Sequence, residues 1–145
     1  SQVISQLNTP EKLVEYLNKN CKLEDREEEK PREPKEFFEK KRGTQWDFAI
    51  FTSYILWKNH YDSAIIRYKY GEGKINVVVV FRDKDLPKTI IFNSQGVSMY
   101  AHGWSFEEML QKEEKRLGEK ISEYSVSYWT DKEELWPEEW IKRTF

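Results

Sequence analysis

Residues 42–51 read RGTQWDFAIF, a glycine turn followed by a nearly continuous apolar run. Gly43 permits a tight turn, and the side chains of Thr44 and Asp47 can satisfy free N–H groups in a first helical turn. The apolar residues that follow, up to Trp57, cover almost the whole circumference of a helix. Such coverage is typical of a helix buried on all sides, so the stretch predicts the central core helix.

The residue at the start of this helix is Gln45. A thiol placed there would have a lowered pKa and could act as a nucleophile. A carboxamide offers one acceptor and two N–H donors but no ionisable nucleophile. The stretch therefore predicts the architecture of a nucleophile turn without its reactive atom. The simpler interpretation is that any buried helix needs such a turn.

Helix and loop signals precede this stretch. Thr9 and Pro10 predict the N-cap and first turn of a short amphipathic helix. Residues 23–34 carry a dense run of charges and two prolines, which predicts a surface loop. Phe37 and Phe38 predict a helical turn that ties this loop down at the mouth of a cleft.

Strand signals follow the core helix. Three β-rich runs cover residues 64–70, 75–81 and 89–92, and residues 71–73 predict a hairpin between the first two. Residues 77–80 are continuously apolar, which indicates a central strand covered on both faces.

The C-terminal third predicts a helix, a strand and a tail. A capping box at Ser105 and Glu108 predicts the start of a surface helix, and Gly118 its end. Residues 124–130 predict a late strand, and we expect Trp136, Pro137 and Trp140 to form a docked tail. The whole pattern predicts one α+β domain over residues 1–145, in which a buried helix packs on an antiparallel sheet.

Composition excludes several classes of partner and cofactor. Charged residues make up 34% of the chain, yet the net charge is only -2, which disfavours nucleic acid and membrane surfaces as partners. Cys21 is the only cysteine and there are two histidines, so no disulfide, metal site or cofactor is expected. No apolar run approaches about 18 residues and no signal-like start is present, which predicts a soluble chain. The many Lys and Glu residues are typical of thermophilic proteins and of ordinary solvated helices alike.

The order of these elements resembles the bacterial transglutaminase-like cysteine protease superfamily. Residues 43–49 are similar to its nucleophile motif, residues 76–81 to its histidine strand and residues 92–94 to its third catalytic position. Residues 56–64 and 104–108 are similar to the end of its core helix and to its capped helix. The resemblance runs from about residue 34 to the helix that begins at Ser105, and it implies a papain-like fold with a thiol hydrolase or transglutaminase activity.

The resemblance places Gln45 at the nucleophile position, Asn76 at the base position and Asn93 at the orienting position. Thiol–imidazole catalysis needs a thiolate and a base that titrates near neutral pH, and neither Gln nor Asn titrates there. The resemblance therefore implies a degenerate triad with no intact catalytic residue.

Further side chains carry groups that could belong to a site. Cys21 is interpreted as a small apolar residue, and His60 as a turn residue after the core helix. His102 is expected near the cleft rim, whereas Glu107 and Glu108 are adjacent on a helix and cannot face each other. The residues expected to bind a ligand are Thr44, Gln45, Trp46, Asn76, Asn93, His102 and Trp104.

Three hypotheses for function follow. The first is a catalytically inactive transglutaminase-like domain that binds a peptide or another protein in its cleft. The second is a hydrolase or acyl transferase with a rebuilt non-thiol site, in which His102 works with a Ser or Asp. No Gly-x-Ser-x-Gly turn supports that second hypothesis. The third concerns origin: an engineered or repurposed transglutaminase-like scaffold whose active site was replaced, with natural drift as the alternative history.

Overall fold

The computed structural model describes residues 2–25, 30–84, 86–136 and 139–144. Its helices and strands, in chain order, are α1 (Gln2–Gln6), α2 (Pro10–Asn20), β1 (Lys22–Leu23), α3 (Pro34–Lys40), β2 (Arg42–Gly43), α4 (Gln45–Lys58), β3 (Ser63–Tyr70), β4 (Lys74–Arg82), β5 (Pro87–Asn93), β6 (Gly96–Ala101), α5 (Phe106–Leu117), β7 (Ile121–Ser127) and β8 (Ile141–Lys142).

A six-stranded antiparallel sheet forms the middle of the molecule, in the order β6-β5-β4-β3-β7-β8. The face that carries α4 contributes Ile65, Val77 and Val79 to the larger core cluster. The opposite face carries α5, whose Met109 and Leu110 pack in a second cluster. Both faces are covered, which explains the continuous apolar run in β4. A separate parallel pair, β1 and β2, lies beside the start of α4.

The main elements confirm the sequence predictions. Thr9 caps α2 with its hydroxyl, which accepts from the N–H of Lys12 at 3.2 Å. The core helix is α4, and nine of its residues are buried, among them Phe48, Phe51 and Leu56. Ser105 caps α5, and Gly118 ends it in the left-handed conformation. The result is a mixed α+β fold with an antiparallel sheet, as predicted.

Some predictions need correction. The edge strand β6 was not predicted, because residues 96–101 lack a clear alternation of polar and apolar side chains. The late strand ends at Ser127, earlier than expected. Trp136 is 54% exposed, but its ring stacks on that of Tyr128 with the ring centres 6.0 Å apart. Trp140 packs against the Arg67 and Lys69 side chains, and Pro137 lies outside the described residues. Within the described ranges, no helix is long and apolar enough to cross a membrane.

Candidate functional site

The turn before α4 is held by a reciprocal cap. The Asp47 N–H donates to the Thr44 hydroxyl at 3.2 Å, and the Thr44 N–H donates to the Asp47 carboxylate at 3.0 Å. Asp47 is fully buried and packs directly against Gly43. A Cβ at Gly43 would lie 2.6 Å from the Cβ of Asp47, so a side chain cannot fit there. Close packing, not a positive φ, explains this glycine.

Arg32 ties the charged segment to the same turn. Its N–H donates to Asp47 Oδ1 at 2.7 Å, and its guanidinium donates to the Arg42 carbonyl at 2.6 Å. The guanidinium also lies 3.5 Å from a Glu24 carboxylate oxygen. The start of α4 is therefore fixed by contacts from a segment that the sequence predicted as a surface loop; residues 26–29 of that segment lie outside the described residues.

An open cleft of about 1200 Å³ lies at the N-terminus of α4. Its floor is apolar and includes Leu17, Phe48, Val77, Phe92 and Val97. Polar groups from β1, from the start of α4 and from the β5–β6 turn form its rim. Of the seven expected ligand-binding residues, the cleft is lined by Thr44, Gln45, Trp46 and Asn93.

The side chain of Gln45 is anchored within this cleft. Its Nε2 donates to the Phe92 carbonyl at 2.6 Å, which joins the start of α4 to β5. The amide thus performs a structural task that a thiol could not perform at this strength. Asn93 accepts the N–H of Gln95 at 2.9 Å and so shapes the β5–β6 turn. Each of the two side chains therefore has a structural partner.

Asn76 lies on the opposite side of the sheet from the cleft. It is buried, and its Nδ2 donates to the Tyr68 hydroxyl at 2.6 Å. Tyr68 belongs to the core cluster under α5. The prediction that Asn76 lines the cleft together with Gln45 is therefore wrong. Successive side chains of a strand point to opposite faces, so the neighbours of Asn76 along β4 face the cleft and Asn76 does not. The β4 side chains that line the cleft are Ile75 and Val77, and Ile75 is the exposed one of the two.

His102 and Trp104 also lie outside the cleft. Together they line a smaller hollow of about 280 Å³ beside Arg82. His102 is buried, with Nε2 at 2.8 Å from the Thr89 hydroxyl and Nδ1 at 3.0 Å from the Gly103 carbonyl. Because that carbonyl only accepts, the tautomer that satisfies both contacts has Nδ1 as the donor to Gly103 and Nε2 as the acceptor from the Thr89 hydroxyl. Thr89 is fully buried, so its hydroxyl is not presented to a ligand in this hollow.

A buried carboxylate, missed in the sequence, organises the face that carries Asn76. Glu113 is fully buried and accepts hydrogen bonds from the hydroxyls of Tyr68 and Tyr100, at 2.6 and 2.9 Å. Arg116 donates to both of its oxygens. Burial raises the pKa of each tyrosine, and the neighbouring carboxylate raises it further. This ion pair could have been predicted from the sequence, because Glu113 and Arg116 are three residues apart on α5 and therefore lie on the same face of the helix.

Two further cleft residues were not expected. Arg67 places its guanidinium 4.0 Å from the ring centre of Trp46 and 5.4 Å from that of Trp140. It could have been found by its alternation with Ile65 on one face of β3. Cys21 also lines the cleft, at the end of α2. Burial raises the pKa of its thiol to about 11, which makes it a poor nucleophile near neutral pH.

Metal binding finds no support in the described part of the chain. Among those residues, no group of three or more His, Cys, Asp or Glu side chains is placed to hold a metal ion.

The fold is a transglutaminase-like α+β fold. Solved structures similar to this chain include Legionella pneumophila LapG in a calcium-bound form, with a TM-score of 0.57 and 17% identity over 93% of this chain and 74% of that one. Another structure of Legionella pneumophila LapG gives a TM-score of 0.55 and 18% identity over the same shares. At this identity the likeness shows the fold alone. No protein-family model matches the sequence. No curated protein matches it significantly.

Proposed function

We propose that this chain is a catalytically inactive transglutaminase-like domain that binds a peptide, or a segment of another protein, in the cleft at the start of α4. The observation that carries the proposal is the structural hydrogen bond of the Gln45 side chain. Its amide is bonded to the Phe92 carbonyl in the position where a nucleophile would stand. An open cleft of about 1200 Å³ lies beside this side chain.

The chemistry of the lining supports a lack of turnover. No histidine is found among the described residues that line the cleft. The one thiol there, on Cys21, has a pKa raised by burial. Without a thiolate and an imidazole, the thiol route to acyl transfer has neither nucleophile nor base.

The shape and composition of the cleft support binding. Its floor is apolar, its rim carries amide and hydroxyl groups, and Trp46 supplies an aromatic wall braced by Arg67. An apolar pocket with a few convergent polar groups is the usual form of a ligand site. A peptide fits such a lining because it combines apolar side chains with a polar main chain.

The proposal is tested with a library of random heptapeptides displayed on phage and selected against the whole protein. We expect a selected peptide, made synthetically, to bind and to be weakened about tenfold by Trp46→Ala. Trp104→Ala is the matched control, because that ring is 63% exposed and lies outside the cleft. Equal effects of the two substitutions, or failure to select any peptide, would contradict the proposal.

Turnover is measured on the same preparations with peptide amides and acyl donors. We expect no difference between the protein and its Gln45→Ala variant. Turnover that Gln45→Ala abolishes would overturn the inactive assignment. Turnover that His102→Ala abolishes would favour the alternative of a rebuilt hydrolase or acyl transferase site.

A further inference from the structure

Two strand edges border the cleft, and they differ in whether their main-chain groups are already bonded. One is the start of β6, at Gly96 and Val97, and the other is β1, at Lys22 and Leu23. A strand edge with free N–H and C=O groups can pair with an extended peptide. Which edge is open therefore decides how a peptide would lie in the cleft.

The edge of β6 is closed by a side chain. Asn18 donates from Nδ2 to the Val97 carbonyl at 2.8 Å and accepts from the Val97 N–H at 2.7 Å. These are the two bonds that a neighbouring strand would form. Asn18 thus occupies the pairing position at this side of the cleft.

The edge of β1 borders the cleft, and no hydrogen bond between described residues closes it at Leu23. The Lys22 N–H donates to the carbonyl of Lys41, the residue before β2, at 3.0 Å. The Glu24 N–H donates to the carbonyl of Gly43 in β2 at 2.7 Å. Because main-chain groups alternate in direction along a strand, the N–H and C=O of Leu23 point away from β2. Residues 22–25 line the cleft, whereas no residue of β2 does. Within the described ranges, no backbone hydrogen bond outside the regular elements engages Leu23.

We propose that the cleft binds an extended peptide that adds to β1 as a third strand, through the N–H and C=O of Leu23. This inference rests on the proposed function and specifies it. The floor beside β1 is apolar, at Leu17 and Phe92, so every second side chain of the peptide is apolar and points down. The carboxylate of Glu24, on the rim beside Leu23, forms ion pairs with Arg32 and Arg42. Its charge is therefore compensated, so the uncharged main chain of a peptide can lie beside Leu23.

The test uses a synthetic heptapeptide selected as described above. Each of its amides is N-methylated in turn, and the affinity is measured by calorimetry. Strand pairing predicts that N-methylation weakens binding about tenfold at alternate residues and has little effect in between. In parallel, amide exchange by NMR is expected to show a fast Leu23 N–H in the free protein and a protected one with the peptide bound.

Two variants complete the experiment. Leu23→Pro removes both the main-chain N–H and the leucine side chain. Leu23→Ala removes the leucine side chain but keeps the N–H. We expect Leu23→Pro to bind about fivefold to tenfold more weakly than Leu23→Ala. If the peptide binds and depends on Trp46, but its N-methyl scan is flat and Leu23 exchange is unchanged, the strand-addition inference fails while the proposed function stands. If no peptide binds, the proposed function itself fails. The N-methyl scan needs no variant, so misfolding of Leu23→Pro would not remove the test.

Discussion

Asn76 donates its side-chain amide to the Tyr68 hydroxyl at 2.6 Å, on the face of the sheet that carries α5. Gln45 lies in the cleft beyond the other face. A residue at position 76 therefore cannot serve one at position 45, whatever its chemistry. The β4 side chain that could do so from the exposed rim of the cleft is that of residue 75.

The register can be tested by building a thiol and an imidazole. All variants carry Cys21→Ala, so that the thiol introduced by Gln45→Cys is the one that reacts. At pH 7, we expect iodoacetamide to alkylate this thiol about tenfold faster when Ile75→His is also present. A nearby imidazolium and the helix N-terminus lower the pKa of a thiol. Gln45→Cys with Asn76→His is the matched control and should give no acceleration. Acceleration by Asn76→His instead would contradict the assigned face.

The buried network around Glu113 should contribute to stability. Tyr68→Phe removes a donor to Glu113 and the acceptor of Asn76 together. We expect the free energy of unfolding in urea to fall by about 1–3 kcal/mol, because buried polar groups then lose their partners. Tyr70→Phe, at a half-buried position on the same strand, should change it by less than about 0.5 kcal/mol. Equal effects would show that the network does not stabilise the fold.

Stability should decline at alkaline pH. Burial raises the pKa of Tyr68 and of Tyr100 above the ordinary value of 10.0, with the Glu113 carboxylate as the next cause. The folded state then keeps protons that the unfolded state releases, so the contribution is complete below about pH 10 and is lost above it. Urea unfolding between about pH 8 and pH 11 should show this fall. In the double variant Tyr68→Phe with Tyr100→Phe, the free energy of unfolding should fall less steeply with pH. An unchanged dependence on pH would contradict the role assigned to these two tyrosines.

Cys21 should be nearly inert in the folded protein. With a thiol pKa of about 11, only about a thousandth of the side chain is thiolate at pH 8. We expect Ellman's reagent to react about a hundredfold more slowly with the folded protein than with the same protein in urea. Comparable rates in the two states would show that the thiol is neither buried nor perturbed.

Local patterns predicted the helices and the inner strands well. The hydroxyls of Thr9, Thr44 and Ser105 each cap their helix as the sequence indicated, because a cap depends on residues within one turn. Of the capping box predicted at Ser105 and Glu108, the structure shows the bond from the Glu108 N–H to the Ser105 hydroxyl. The edge strand β6 was missed because half-exposed residues with mixed polarity carry no period of two. Four of the seven expected ligand-binding residues line the cleft, and those four lie at the start of α4 or at the end of β5.

The sequence by itself determined the buried helix, its capped turn and the inner strands β3, β4, β5 and β7, since these follow from local caps and apolar periodicity. Only the tertiary structure decided which face Asn76 takes and which distant residues meet Gln45. Residues 77–80 are apolar on both faces of a covered strand, so their sequence has no alternation from which a register could be deduced. Cys21, Leu23 and Arg67 reach the cleft from separate elements, and long-range packing alone brings them there.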